Sequence, residues 1–114
     1  MKTAIAILFS AALLLAQDAP IRVGGNIQQA NLVNNVKPVY PPDAKRDRVQ
    51  GKVSLQVLIG KDGHVISVSL LDGPEVLVRS AVEAVSQWTY RPTLLNGQPI
   101  EVLTTVDVNY TLAE

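Results

Sequence analysis

The chain contains no cysteine among its 114 residues and only one histidine. Disulfide bridges and thiolate zinc sites are therefore excluded, and His64 alone supplies neither a metal cluster nor a catalytic triad. The carboxylates show no pairing at a spacing that is typical of acid–base catalysis. The sequence consequently predicts a protein that is not an enzyme, with no cofactor, no metal and no small-molecule substrate.

Charge is scarce and evenly divided. Ten Lys and Arg residues balance ten Asp and Glu residues, and charged residues make up only 18% of the chain. Nothing in this balance would attract nucleic acid. With 47% apolar residues, the composition is that of one small globular domain rather than a disordered segment.

A long apolar run occurs only at the start of the chain. Lys2 precedes a stretch from Ala4 to Ala16 that is apolar except for Ser10. These thirteen residues would span only about 20 Å as a helix, less than the roughly 30 Å of a hydrocarbon core. We interpret residues 1–16 as a secretory signal peptide that is cleaved after Ala16. The alternative is an uncleaved anchor that tethers the chain to the inner membrane.

Residues 17–35 are interpreted as an N-terminal arm. Ile21 and Val23 predict a short extended piece at an edge, and the two glycines that follow predict a turn. Three prolines then exclude a central strand or a helix interior: Pro38, Pro41 and Pro42. A short helix is predicted over Pro42–Arg48, because proline is tolerated in a first helical turn.

Two strands and a tight turn are predicted next. The segment "KVSLQVLI" alternates strictly, and "HVISVSLL" is its predicted return strand. Between them, "GKDG" predicts a hairpin turn at Asp62 and Gly63. The side chains expected to face the core are Val53, Leu55, Val57 and Ile59 on the first strand and Ile66, Val68 and Leu70 on the second.

The apolar period changes to that of a helix between Glu75 and Trp88. The predicted buried stripe consists of Leu77, Ala81, Ala84, Val85 and Trp88. The segment "QWTYRP" then closes this region with Trp88, Tyr90 and Pro92. This aromatic pair is either a ligand platform or a plug for the core, and we favour the plug because large aromatics bury much area in a small domain.

The last segment, "EVLTTVDVNYTL", alternates over residues 101–112 and predicts a strand longer than its neighbours. Part of this strand is therefore expected to lack a partner within its own chain. The order of elements predicts an α+β fold with two layers, a three-stranded antiparallel β-sheet covered by helices on one face.

Four pieces of the sequence resemble the C-terminal domain of the TonB energy transducers in order and spacing. They are "PVYPPDA", "GKVSLQVLIGKDGHVISVSLL", "SAVEAVSQWTYRP" and "NGQPIEVLTTVDVNYTL", which together cover Val36 to Leu112. The signature residues are Pro41, Gly51, Asp62, Gly63, Trp88, Tyr90 and Pro92. The resemblance assigns a domain to residues 36–114, here as a short stand-alone version of the family.

The resemblance implies a periplasmic role in TonB-type transmembrane transport in Gram-negative bacteria. It implies that an extended segment of an outer-membrane transporter, the TonB box, adds as a strand beside the last strand. The implied contacts are Val102, Leu103, Thr104, Thr105, Val106, Asp107, Val108 and Asn109, with Lys37, Val39 and Tyr40 as further candidates. The alternative is a structural envelope module that forms a homodimer and has no energy coupling.

Overall fold

The computed structural model describes residues 19–112, so the predicted signal peptide lies outside the described residues. The strands within this range are β1 (Ile21–Arg22), β2 (Leu32–Asn34), β3 (Gly51–Ile59), β4 (Val65–Asp72), β5 (Thr89–Tyr90), β6 (Thr93–Leu95), β7 (Gln98–Ile100) and β8 (Val102–Tyr110). The helices are α1 (Gly25–Gln29), α2 (Pro42–Arg46) and α3 (Glu75–Val85). None of the helices in residues 19–112 has the length and apolar character to span a membrane.

The central sheet has four strands in the order β1-β8-β3-β4, and β1 runs parallel to β8. The α+β class is therefore correct, but the prediction of three antiparallel strands is wrong. The added strand comes from the N-terminal arm, where the Ile21 and Val23 N–H groups donate to the carbonyls of Glu101 and Leu103, both at 3.0 Å. These bonds satisfy carbonyls that would otherwise lie unpaired at the edge of the sheet.

The predicted inward face of β3 is confirmed. Val53, Leu55 and Val57 are completely buried, and Ile59 is 2% exposed. β3 lies between β8 and β4, so both of its edges are paired and its alternating side chains face the helices on one side. This strand is the centre of the hydrophobic core.

The prediction for β4 is wrong at two positions. Ile66 and Leu70 are 55% and 50% exposed, although alternation placed both in the core. The register between β3 and β4 shifts at Leu58/Ile59, which leaves Ile66 without a partner, whereas Leu70 pairs with Leu55 and keeps the predicted face. β4 is also the edge strand of the sheet, so no neighbour covers its far side within the described residues.

Helix α3 packs on the sheet through Leu77, Ala81 and Val85, which are all completely buried. The small side chain of Ala81 allows the helix to lie close to the strands. The helix ends at Val85, so Trp88 lies beyond it rather than on its last turn. Helix α2 is likewise shorter than predicted and ends at Arg46.

The last strand is shorter than predicted, with nine residues in both β8 and β3. Its pairing with β3 runs along its whole length, from Gly51↔Tyr110 to Ile59↔Val102. The expected excess length therefore does not exist. Free backbone groups on β8 can come only from its outer edge, which faces away from β3.

The predicted turn at Asp62 and Gly63 is confirmed between β3 and β4. Gly63 has φ +89°, and a Cβ built there would lie 1.9 Å from the carbonyl oxygen of Tyr90. Only glycine fits both this conformation and this close approach. The Tyr90 N–H donates to the Gly63 carbonyl at 2.8 Å, so the turn is joined to β5. The later "LLNGQPI" segment, predicted only as a turn, forms the β6–β7 hairpin.

Candidate functional site

The outer edge of β8 carries backbone groups at every second residue. The carbonyls of Glu101 and Leu103 point to this edge, because they accept hydrogen bonds from the N-terminal arm. Along an antiparallel strand the N–H and C=O groups of alternate residues point to the same side. The groups of Thr105, Asp107 and Asn109 therefore also point outward, whereas those of the intervening residues pair with β3.

Part of this edge is already occupied. β1 pairs with Val102 and Leu103, and α1 begins so close to the next outward residue that a Cβ on Gly25 would lie 2.4 Å from the Thr105 carbonyl oxygen. No strand of residues 19–112 pairs with β8 on this side after Leu103. The open stretch is consequently Asp107 to Asn109, a shorter site than the Val102–Asn109 stretch predicted from the sequence.

A groove of about 490 Å³ lies beside the open stretch. Alternation on β8 buries Thr104 and Val106 on the helix side of the sheet, and both contribute to the groove. Four residues with side-chain amides and two aromatic residues also line it: Asn26, Gln28, Gln29, Asn35, Trp88 and Tyr90. The groove therefore combines uncharged polar side chains with an aromatic wall.

Two buried polar atoms on groove-lining residues have no hydrogen-bond partner among the described residues. They are Nε2 of Gln28 and Oγ1 of Thr104, on side chains that are 1% and 3% exposed. The carbonyl oxygen of the Gln28 side chain accepts a bond from Asn31 Nδ2 at 3.4 Å, which leaves its amide nitrogen unused. Buried polar groups normally form hydrogen bonds, so the groove lining has two hydrogen-bonding atoms left over.

The aromatic wall consists of Trp88 and Tyr90. The Trp88 Nε1–H donates to the Val36 carbonyl at 2.9 Å, which joins the start of the domain to the segment after α3. Tyr90 is 4% exposed, and burial raises the pKa of its hydroxyl to about 12. The wall is therefore uncharged at neutral pH. Trp88 packs against the core and lines the groove, so it belongs to both.

Lys37, Val39 and Tyr40 do not line the groove. Lys37 and Val39 border a second hollow of about 110 Å³, next to Ser80. The Tyr40 ring contacts the Tyr110 ring edge-on, with ring centroids 5.4 Å apart, and its hydroxyl donates to the Val49 carbonyl. Tyr40 therefore closes the core below the end of β8.

Ser80 is a connecting residue that the sequence analysis missed. Its hydroxyl donates to the Val39 carbonyl and lies 2.9 Å from the Tyr110 hydroxyl, so one side chain joins α3, the segment before α2 and β8. Burial raises the pKa of Tyr110, and its hydrogen bond with Ser80 partly offsets this effect. A serine on a helix gave no pattern from which this role could be inferred.

The other signature residues lie at turns and element boundaries. Pro41 precedes α2, Gly51 begins β3, and Pro92 separates β5 from β6. The Asp62 carboxylate accepts the His64 backbone N–H at 3.1 Å, which lowers the pKa of Asp62. Both side chains are exposed, and no group of three His, Cys, Asp or Glu residues in 19–112 is placed to hold a metal ion.

Comparison with known proteins identifies the family. Residues 36–112 match the family model described as the Gram-negative bacterial TonB protein C-terminal. The chain belongs to the TonB C-terminal family. The match begins after the N-terminal arm, so β1, α1 and β2 lie outside the part that the family model covers.

Curated relatives and solved structures agree with this assignment. The chain is 36% identical over 67 residues to Protein TonB of Vibrio cholerae, covering 57% of this chain and 28% of that protein. It is 36% identical over 77 residues to Protein TonB of Xanthomonas campestris, covering 66% and 34%. The chain thus spans about a third of these relatives.

Two solved structures share the fold. The solution structure of the Pseudomonas aeruginosa TonB C-terminal domain has a TM-score of 0.62 and 20% identity, covering 73% of this chain and 86% of that one. The TonB2 protein of Vibrio anguillarum has a TM-score of 0.57 and 32% identity, covering 76% and 85%.

Proposed function

We propose that this chain binds an extended peptide segment as an added strand on the outer edge of β8. The observation that carries the proposal is the open stretch at Asp107 and Asn109 beside the groove. These two residues offer two N–H and two C=O groups to a guest. Strand addition uses such groups for affinity and the flanking pockets for specificity.

The groove supplies the side-chain part of this recognition. Successive side chains of a strand point to opposite faces, so every second side chain of a guest would lie on the helix side of the sheet. There it would meet the aromatic wall of Trp88 and Tyr90 and the side-chain amides that line the groove. Asp107 is the one charged residue of the lining, and its carboxylate accepts a hydrogen bond from Ser54 Oγ at 2.7 Å on the other face of the sheet, so an uncharged guest side chain fits the groove best.

Membership of the TonB family favours a transporter segment as the guest. We infer that the chain acts in the periplasm, in TonB-type transport, and binds a segment near the N-terminus of an outer-membrane transporter. Its role is binding rather than catalysis. Affinity is expected to be modest, because a flexible peptide loses conformational entropy when it is ordered on the edge.

An NMR titration with a synthetic transporter N-terminal peptide tests this function. The largest chemical-shift changes are expected at Asp107, Asn109 and the Trp88 indole. Asn109→Pro removes one outward N–H and is expected to raise the Kd about tenfold, whereas Asn109→Ala keeps that N–H and serves as the matched control. Peptide binding without shifts at Asp107 and Asn109, or equal binding by the two variants, would refute strand addition.

The alternative is that two copies pair through this same edge. The open stretch is self-complementary in principle, because antiparallel strands can pair about a two-fold axis. Light scattering over a range of protein concentrations separates the two functions. A stable dimer that does not respond to the peptide would favour the structural module.

A further inference from the structure

Residues 21–29, here called the covering segment, lie over the first half of the outer edge of β8. The Ile21 and Val23 N–H groups bond to the carbonyls of Glu101 and Leu103, both at 3.0 Å. The start of α1 then lies against the next outward carbonyl, that of Thr105. A guest strand that extended from Asp107 toward Glu101 would need the place that the covering segment now occupies.

The helical part of the covering segment is weakly attached, whereas Val23 before it packs partly buried against the core. Helix α1 has only five residues and no side-chain cap, and isolated helices of this length are unstable in water. Ile27 is 64% exposed, so its side chain contributes little burial. The one side chain that the helix buries fully is Gln28, whose amide nitrogen lacks a partner among the described residues. An unpaired buried polar group opposes the docked position.

The chain after this segment is held by contacts of its own. β2 pairs with β5 through Leu32↔Tyr90 and Asn34↔Thr89, and the Arg91 N–H donates to the Asn31 carbonyl at 2.8 Å. The covering segment can therefore leave the edge while the chain from Asn31 onward stays in place.

We propose that the covering segment competes with the guest peptide for the outer edge of β8, and that its release extends the docking site from Asp107–Asn109 back to Glu101. This inference rests on the proposed function and adds a means of regulating it. If the edge is open for only a fraction of the time, the apparent Kd equals the intrinsic Kd divided by that fraction. Release also exposes the outward groups of Leu103 and Thr105, so the guest gains backbone partners.

Two adjacent glycines provide a matched test. A Cβ on Gly25 would lie 2.4 Å from the Thr105 carbonyl oxygen, so Gly25→Ala pushes the covering segment off the edge. A Cβ on Gly24 meets no backbone atom of β8, since its nearest neighbour is Asn26 Oδ1 at 3.3 Å. Gly24→Ala therefore changes the same segment without the collision.

The measurement is an NMR and calorimetric titration of the full chain and both variants with the synthetic transporter N-terminal peptide. Gly25→Ala is expected to lower the Kd about tenfold, the factor for an edge that is open about a tenth of the time in the parent chain. Its shift changes should extend to Leu103 and Thr105, whereas Gly24→Ala should match the parent. Ile21→Pro deletes one of the two donors and should lower the Kd by a smaller factor.

The outcomes separate this inference from the proposed function. If the parent chain binds the peptide and Gly25→Ala binds equally or more weakly, the covering segment does not compete, while strand addition stands. If only Gly25→Ala and Ile21→Pro bind, both proposals hold. If no variant binds, the proposed function fails and the competition proposal fails with it. Unchanged shifts of β3 and α3 in the free variants confirm that the core is intact.

Discussion

Replacing Gly63 with alanine tests how the β3–β4 turn is joined to the segment that follows α3. The φ of +89° costs an alanine about 1–2 kcal/mol, because its Cβ crowds the backbone in this region. The new Cβ would also lie 1.9 Å from the Tyr90 carbonyl oxygen, so the turn and β5 must separate. Separation breaks the 2.8 Å bond from the Tyr90 N–H to the Gly63 carbonyl, which leaves two groups unpaired at a further cost of about 1–3 kcal/mol.

Gly97→Ala is the matched control for this substitution. Gly97 has a similar φ of +80°, but a Cβ built there has no atom within 4 Å. It should therefore show only the conformational cost. Urea unfolding, followed by circular dichroism and by the fluorescence of the single tryptophan, Trp88, measures both. We expect Gly63→Ala to lose about 2 kcal/mol more than Gly97→Ala. Equal losses would show that the contact between the turn and β5 does not constrain the fold.

Two further predictions concern tyrosine hydroxyls. Because the pKa of Tyr90 is about 12 in the folded protein and about 10 when unfolded, the unfolded chain releases its proton first, so stability falls as the pH rises from about 10 to about 12. The loss should approach about 2.7 kcal/mol relative to Tyr90→Phe in urea titrations, and parallel pH profiles for the two proteins would contradict it. Ser80→Ala should cost about 1–2 kcal/mol and Tyr110→Phe about 1 kcal/mol. Because the two hydroxyls share one hydrogen bond, a double-mutant cycle should show coupling of about 0.5–1 kcal/mol, and strict additivity would contradict the bond.

The two experiments on β8 depend on different atoms. Asn109→Pro removes an outward N–H from the open stretch, whereas Gly25→Ala acts on the segment that covers the other half of the edge. The first should weaken peptide binding and the second should strengthen it. General destabilisation would weaken peptide binding in both variants, so opposite changes in Kd point to the β8 edge itself.

The core of the domain could be predicted from the sequence because side-chain alternation reports burial directly. Val53, Leu55 and Val57 recur with a period of two, and Leu77 and Ala81 recur at helical spacing, so both buried faces follow from the pattern alone. The turn at Gly63 was equally predictable, since glycine after aspartate favours a positive φ. The resemblance to the TonB family also followed from residues 36–112, and the family model confirms it.

The occupancy of the β8 edge was decided only by the tertiary structure. Pairing at an edge is made by backbone N–H and C=O groups, which every residue except proline carries in full, so side-chain patterns do not record it. The sequence therefore predicted an extended piece at Ile21 and Val23 but could not show that it lies on β8. The same holds for the register shift that leaves Ile66 without a partner on β3, and for the edge position of β4 that leaves Leu70 exposed, because the alternation of side chains records neither. The sequence thus determined the buried faces of β3 and α3, and the tertiary structure determined which backbone edge is left for a partner.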